Sequence, residues 1–586
     1  MAEVPLHMAA EVLSLDDAEI PDRGGAQAGV SSLPNELLLR VLEALTDKEL
    51  YSHIRTCRAF HDVSLHILFN RQFKKILSGQ IHLHNSPEYI LPAVHGALFL
   101  HDLHDISILF NPEAPKFFTE MRVLTEIIQR MERNTRLSLN MKRVGSLGTL
   151  KLGSRRSLEN LSSQYEELAK ALQGLIDLAL KKGSTRLYVF TGDAFKSDLN
   201  AIGWRPRQKT SLLSKSVLTE SQPLEAVVSG QPNAGLSIVR PAPNISNPII
   251  PVFPTHSDAL SPPKKRGSII LSSPFLFSEF LLDWTLSLLN YGNFSKFEFL
   301  TSHFEFHTGI DTLPKIQMDN LNDFLFDGDT IDPYEVTLFL QRHSGTLESI
   351  SLSLSRYFFT TSWIPAGRWC SSFSDHPSSL YLDFPLLRHL AFTSYHIPWF
   401  LDGIMSNPKA TQFLPNLSSL TIRLFPDRPE APNLDQVLES ILSLVNLENP
   451  GHRCADWLSY LRLNAKGVSA TSFIGSLDTY IIKHSTSGPN SKPKVARIFP
   501  TVQELRLEFR FMATDLDIFD AICRFLAFFP NVKRFEVGSV SREAVKQREG
   551  AYWQEARVHC PNLEEVVFDG FAEPLAKMDN LVRGAF

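Results

Sequence analysis

A six-residue pattern recurs along the C-terminal half of the chain. Its first, fourth and sixth positions are apolar, as in Phe294, Phe297 and Phe299. Nine copies begin at the following residues: Phe294, Leu321, Leu347, Leu387, Leu417, Leu458, Val502, Val532 and Leu563. Because the last two apolar positions lie two residues apart, they share one face of a β-strand. The pattern therefore predicts nine strands, each with one buried face.

The residues that flank these copies repeat as well. In five copies a proline stands two residues before the first apolar position, at Pro385, Pro415, Pro500, Pro530 and Pro561. In five copies an asparagine stands directly before it, at Asn293, Asn320, Asn416, Asn531 and Asn562. Proline ends a preceding helix, and asparagine suits the turn into a strand. Segments between copies, such as 434–445 and 517–529, have apolar residues at helical spacing, so each unit is predicted to be strand, loop, helix and turn.

A unit of one strand and one helix cannot bury its apolar faces alone. Successive units are therefore expected to stack into an irregular solenoid, with parallel strands inside and helices outside. The pattern resembles the leucine-rich repeat, L-x-x-L-x-L-x-x-N/C. At the N/C position this chain has residues such as Ser302, Tyr395, Phe425 and Arg510, so the internal asparagine ladder of that family is expected to be missing. A doubly wound α/β domain is the alternative interpretation.

Weaker copies of the pattern precede residue 205. Leu137 with Leu139, and Leu187 with Val189, show its last two apolar positions, and the segment 160–180 between them reads as an amphipathic helix. These features predict degenerate first repeats within a helical connector at 77–204.

Near the N-terminus, residues 30–76 predict a small module of three helices. Pro34 suits a first helical position, and apolar residues follow at helical spacing. Thr46 and Glu49 form the sequence pattern of a capping box, so a second helix is expected from Asp47. A third helix is expected around Phe60 and Val63. Because so small a module has little core of its own, it is expected to bury its remaining apolar surface against a partner.

Residues 32–60, SLPNELLLRVLEALTDKELYSHIRTCRAF, resemble an F-box in their Leu-Pro start, helix spacing and Arg-x-Phe end. The order of an F-box followed by irregular repeats resembles F-box/leucine-rich-repeat proteins of the divergent kind common in fungi. The resemblance implies a substrate-recognition adaptor of an SCF-type (cullin-RING) ubiquitin ligase, with a Skp-family linker and a cullin as partners. The residues that it assigns to the Skp-family linker are Leu33, Pro34, Leu37, Leu38, Val41, Leu42, Leu45, Leu50, Ile54 and Cys57.

Two further segments are set apart by composition. Residues 1–29 are acidic and are predicted to be a disordered tail that lacks the basic start of a signal peptide. Residues 205–274 are rich in proline and serine, with Phe253 as their one aromatic residue. Such a stretch has little apolar surface to bury, so it is predicted to be a disordered insertion before a repeat domain at 275–586.

Bulk composition narrows the class of function. The net charge of −5 counts against a general nucleic-acid binder. The five cysteines are scattered and include no C-x-x-C pair, which favours a reducing cytoplasm or nucleus and predicts no metal site. The most apolar stretch, 273–291, contains Glu279 and Asp283 and is predicted to be a buried helix and not a membrane span. No phosphate-binding, nucleophile-elbow or zinc-protease motif occurs, so neither a cofactor nor a catalytic residue is expected.

The outward positions of the predicted strands are candidates for target binding, because they would line the concave surface of a solenoid. The charged and polar candidates are His389, Arg423, Arg462, Arg506, Glu508, Arg534 and Glu536. Along the full set of outward positions the charges are of both signs, which does not indicate one highly charged ligand. Two other functions stay open: an F-box scaffold that works outside ubiquitin ligation, and an enzyme whose α/β domain imitates repeats.

Overall fold

A computed structural model describes residues 34–54, 58–84, 86–147, 155–202, 267–273, 275–300, 312–327, 333–353, 381–394, 396–405, 414–424, 434–445, 458–465, 470–486, 494–495, 499–509, 516–538, 556–558, 560–568 and 571–574. These residues belong to two compact units. The first contains the described residues up to 202 together with 267–282, and the second contains those from 283 onward.

The first unit begins with helices and continues as alternating strands and helices. Its helices are α1 (Asn35–Ala44), α2 (Asp47–Ile54), α3 (Arg58–Gln72), α4 (Lys74–Leu77), α5 (Ile90–Gly96), α6 (Ala114–Arg130), α7 (Arg155–Lys181) and α8 (Asp193–Ala201). Its strands are β1 (Gln80–Leu83), β2 (Asp105–Leu109), β3 (Arg136–Met141), β4 (Arg186–Thr191) and β5 (Gly267–Ser272).

The second unit repeats the same alternation. Its helices are α9 (Leu282–Tyr291), α10 (Pro333–His343), α11 (His396–Met405), α12 (Leu434–Val445), α13 (Ala470–His484) and α14 (Leu516–Leu526). Its strands are β6 (Phe294–Leu300), β7 (Asp323–Asp327), β8 (Ser349–Ser353), β9 (His389–Thr393), β10 (Ser419–Arg423), β11 (Tyr460–Ala465), β12 (Ser485–Thr486), β13 (Lys494–Val495), β14 (Glu504–Phe509), β15 (Arg534–Gly538), β16 (Glu565–Phe568) and β17 (Phe571–Pro574).

The strands of the first unit pair in chain order, and every pair is parallel. Leu137, Leu187 and Ile269 lie side by side in register and are buried, so each strand adds one layer to a continuous core. The two degenerate repeats predicted before residue 205 are present as β3 and β4. The predicted disordered insertion at 205–274 is wrong at its C-terminal end, since residues 267–272 form β5; residues 205–266 lie outside the described part of the chain.

All nine predicted copies of the pattern in the second unit form parallel strands, namely β6–β11 and β14–β16. In the β7 copy Leu321, Phe324 and Phe326 are fully buried, and the other described apolar positions are buried likewise. The two units together contain fourteen strands, five and nine, that pair in parallel within their own unit; β17 closes the second unit as an antiparallel partner of β16. The predicted α/β fold class is confirmed: helices at the N-terminus and a solenoid-like repeat architecture after them.

Flanking asparagines connect successive repeats of the second unit. The side-chain amide of Asn416 donates to the carbonyl of Pro385 at 2.6 Å, and that of Asn531 donates to Pro500 at 2.7 Å. Asn562 continues the series by donating to the side-chain oxygen of Asn531 at 3.0 Å. Eight of the nine N/C positions of the second unit fall outside the described residues, and the ninth is Phe571, the first residue of β17. We call Asn416, Asn531 and Asn562 the asparagine ladder; it stands at the entrance to the strands, where each of its members joins its own turn to the turn before it.

The apolar stretch 273–291 is not one helix, which corrects the prediction. Phe275, Leu276 and Phe277 form a short 3₁₀ turn, and the hydroxyl of Ser278 donates to the carbonyl of Phe275 at 2.7 Å. A serine that bonds to nearby backbone offers the chain an alternative to a continuous helix, so α9 begins only at Leu282. Among the described helices none is both long and apolar enough to cross a membrane.

Candidate functional site

The three-helix module, residues 34–72, has a small core of its own. Leu42 of α1, Leu50 of α2 and Val63 of α3 are buried against each other, and Phe60 and Ile67 cover them in part. The predicted capping box is confirmed at the start of α2. The backbone amide of Thr46 donates to Glu49 Oε2 at 2.7 Å, and the Thr46 hydroxyl donates to the same oxygen at 2.7 Å. These hydrogen bonds to its ionised form lower the pKa of Glu49.

Beside its buried face, α1 carries apolar side chains that stay exposed. Leu37 and Val41 are each 48% exposed, and Pro34 at the start of the helix is exposed too. Positions 34, 37 and 41 are separated by three and four residues, so they lie along one face of the helix. This exposed stripe is an apolar surface on a module too small to bury it, and such a surface is typical of a protein interface.

The structure divides the ten residues predicted to bind a Skp-family linker. Pro34, Leu37 and Val41 form the exposed stripe, and Leu45 at its end is half-buried. The remaining described members lie in the core of the module: Leu38, Leu42, Leu50 and Ile54. Leu33 and Cys57 fall outside the described residues. The spacing of apolar residues along α1 does not separate the residues of the core from those of the exposed stripe. Only the packing of the helices separates them.

Arg71, at the end of α3, holds the C-terminus of α1 in place. Its guanidinium donates to the carbonyl oxygen of Leu45 at 2.6 Å and also to that of Glu43. It lies 3.2 Å from the carboxylate of Asp47 as well. The last carbonyl groups of a helix have no partner within the helix, so these bonds satisfy acceptors that are otherwise unpaired. Arg71 thereby fixes the end of the helix that carries the exposed stripe.

Replacing Arg71 with methionine is expected to loosen α1. Methionine keeps an aliphatic side chain at this position of α3, so the packing of α3 is expected to stay intact. Because two carbonyl groups lose a charged donor, amides of residues 37–45 are expected to exchange with solvent about fivefold to tenfold faster, which corresponds to about 1 kcal/mol. Hydrogen–deuterium exchange of the full chain measures this. Arg40→Met, on the exposed side of α1, is the matched control, and equal exchange in both variants would contradict the role of Arg71.

Three ring contacts fasten the module to the segment that follows it in the first unit. The His61 ring nitrogens lie 2.9 Å from the carbonyl oxygen of Ile54 and 2.7 Å from that of Gly96. His66 stacks on Phe99 with ring centroids 4.3 Å apart, and burial lowers the pKa of His66. Tyr51 contacts Tyr89 at 5.4 Å. These pairs are 33 to 38 residues apart in the chain, and no sequence pattern signals them.

Most of the predicted target-binding residues of the second unit contact each other. Glu508 Oε1 lies 2.6 Å from Arg462 and 2.5 Å from Arg506, and Arg506 also meets Glu536 at 2.9 Å. Arg534 lies 3.5 Å from Glu565. Glu508 is only 1% exposed. We call these residues, which span β11 to β16, the charge ladder; their charges are largely used in binding one another across the strands.

The other two candidates lie apart from the charge ladder. His389 of β9 is exposed, and Arg423 of β10 is half-buried. In register, His389 lies between Ser349 and Ser419, so its neighbours on the sheet face are small and polar. The seven candidates therefore share a sheet face but do not converge on one point. No group of three His, Cys, Asp or Glu side chains in the described part of the chain is arranged to hold a metal ion.

Comparisons with known proteins bear on the three-helix module. The family model described as F-box-like matches residues 30–75. This range covers α1, α2 and α3 and includes the exposed stripe. A search of curated protein sequences finds no match to the chain.

Proposed function

We propose that this chain, which begins with an F-box-like domain, is the substrate-recognition adaptor of an SCF-type ubiquitin ligase. The F-box-like domain would dock on a Skp-family linker protein, which in turn joins it to a cullin. The repeat units would bind a target protein. The observation that carries the proposal is the exposed stripe of Pro34, Leu37 and Val41 on a domain of this family.

The physical basis of docking would be burial of the exposed stripe. Leu37 and Val41 leave about half of their side chains in contact with water in the free chain. Burying such side chains at an interface is favourable by about 25 cal/mol per Å² of apolar surface before the cost of association is subtracted. Arg71 and the Thr46–Glu49 capping box would keep the stripe in a fixed shape, so that little order has to be gained on binding.

In this role the chain would act by position and not by chemistry. We infer that it has no catalytic group of its own and raises the local concentration of a target near the ubiquitin-conjugating enzyme. The contacts of His61, His66 and Tyr51 support the positioning role alone, because they join the three-helix module to the segment that follows it in the same unit.

Leu37→Glu combined with Val41→Glu is expected to abolish co-purification with a Skp-family protein, since two carboxylates would have to be desolvated at the interface. Both positions are exposed, so the variant is expected to fold. Leu386→Glu is a matched control in the second unit, with a side chain 45% exposed, and is expected to leave co-purification unchanged. Leu33→Ala with Pro34→Ala tests the N-terminal end of the stripe in the same way.

Undiminished co-purification of the Leu37→Glu/Val41→Glu variant would reject the docking surface. Recovery of the cullin with the wild-type chain and its linker separates the ligase adaptor from an F-box scaffold that works outside ubiquitin ligation. If the linker is recovered and the cullin never is, the scaffold function replaces the one proposed here.

A further inference from the structure

The strands β3 and β4 of the first unit carry a basic face. Along β4 the side chains of Leu187 and Val189 are buried, and Arg186, Tyr188 and Phe190 alternate with them on the opposite side of the sheet. On β3, Arg136 lies in register with Arg186. Lys142, directly after β3, reaches the same side, since its ammonium group lies 5.3 Å above the Phe190 ring. We call these five residues the basic–aromatic face.

Two cations of this face have no carboxylate partner among the residues that the structure describes. Arg136 lies 3.3 Å from Asp105 on β2, but no ion pair of Arg186 or Lys142 occurs among the residues that the structure describes. Like charges placed directly opposite each other on neighbouring strands are destabilising. The Arg136–Arg186 pair is therefore an unfavourable arrangement in the free chain that an added negative charge would relieve.

The charge ladder of the second unit provides the contrast. There, Arg462, Arg506 and Arg534 each lie within 3.5 Å of a glutamate oxygen, so their charges are already compensated. Arg462 and Arg506 also face each other in register, and Glu508 bridges them. The equivalent pair in the first unit has Asp105 on one side only. The basic–aromatic face thus keeps positive charge that is available to bind a ligand.

Aromatic rings contact two of the three cations. The Arg136 guanidinium carbon lies 4.8 Å from the centre of the Tyr188 ring, as expected for a cation–π contact. Lys142 has the corresponding contact with Phe190. Arg186 and Phe190 are four residues apart on one strand, so the backbone positions of Arg186 and of the ring beneath Lys142 are about 13 Å apart along the strand. An extended peptide with acidic residues four positions apart has the same spacing.

We propose that the basic–aromatic face binds an acidic segment of the target protein through its aspartate or glutamate carboxylates. The inference rests on the proposed function, in that the chain is taken to capture a target, and it specifies which face does so and by which chemistry. A single-stranded nucleic acid would also stack on aromatic rings. It is disfavoured because the cations are few, Asp105 lies among them, and the chain as a whole carries a net charge of −5.

The test uses the full chain in complex with its Skp-family linker and a fluorescent ten-residue peptide with two glutamates four positions apart. Anisotropy at low salt is expected to show binding that weakens as salt is added. A peptide with glutamine in place of both glutamates is expected not to bind. Lys142→Ala with Arg186→Ala is expected to weaken binding at least tenfold, because two charge-assisted contacts are lost. Lys181→Ala, at the end of α7, removes one charge elsewhere in the unit and is expected to change binding less than twofold.

Three results would overturn the inference: equal binding of the glutamate and glutamine peptides, undiminished binding by the double variant, or binding only of a phosphoserine peptide or an oligothymidylate. Recovery of the linker is scored on the same samples. Loss of peptide binding with the linker retained rejects the basic–aromatic face alone. Failure of the wild-type chain to retain the linker rejects the adaptor function, and the peptide titration on the chain by itself then still reports on the face.

Discussion

Phe324→Ala is expected to lower the free energy of unfolding of the second unit by about 3–5 kcal/mol, as is usual when a buried aromatic side chain is removed from a core. Phe324 is fully buried. Its ring lies 4.6 Å from that of Phe339 on α10 and 5.9 Å from that of Phe297 on β6. The ring thus joins a strand, its neighbouring strand and the covering helix, and its removal leaves a cavity among all three.

The effect has to be measured strand by strand, because each repeat of such an architecture contacts mainly its neighbouring repeats. We expect the loss to be largest for amides of β6, β7 and β8 in native-state hydrogen exchange and small for those of β14 and β15. Phe324→Leu is the matched control, since it keeps most of the volume and is expected to cost less than half as much. A uniform loss across the whole unit would show that the aromatic contacts are not local.

Glu508→Gln is expected to destabilise β11 and β14 by about 3 kcal/mol. Removing one partner from a buried ion pair leaves the other charges uncompensated. Here Arg462 and Arg506 face each other in register without Glu508 to bridge them. Arg506 keeps its contact with Glu536, and both arginines are about one-third exposed, so solvent screens part of their repulsion. The variant is expected to recover stability when salt is added, because salt screens like charges.

Glu504→Gln provides the control for this experiment. Glu504 lies on the same strand but is exposed, so its replacement is expected to change stability by less than about 0.5 kcal/mol. Thermal unfolding at low and high salt compares the two variants. If Glu508→Gln were as stable as Glu504→Gln at low salt, the charge ladder would contribute nothing to the fold, and its residues would be available to bind a ligand.

The repeats that sequence predicted best are those with the most redundant signals. Phe324 and Leu505 belong to full copies of the pattern, and proline or asparagine flanks repeat beside them, so local sequence and core packing agree. Strand β2 has the full pattern too, at Leu103, Ile106 and Ile108, but His101 and Asp102 stand where the flanks have proline and asparagine. It was not among the predicted strands, nor was β1.

Other features depend on distances in space that the sequence does not encode locally. Strand β5 is six residues long and follows a long polar stretch, so composition averaged over 205–274 hides Ile269 and Leu271. The pairing of Arg462 with Glu508 depends on the register of two strands whose helices and loops differ in length. The apolar spacing within α1 does not show which of its residues are exposed and which are buried. That distinction depends on how α3 packs on α1.

The asparagine ladder makes two turns of the second unit interchangeable in sequence. Asn531 follows Pro530, and Asn562 follows Pro561, so removal of residues 531–561 would join Pro530 directly to Asn562. Asn562 would then stand where Asn531 stands now, opposite the carbonyl of Pro500. The excised segment begins and ends at the same point of the repeat. A chain built in this way can lengthen or shorten by one whole repeat while it keeps the same turn contacts on either side.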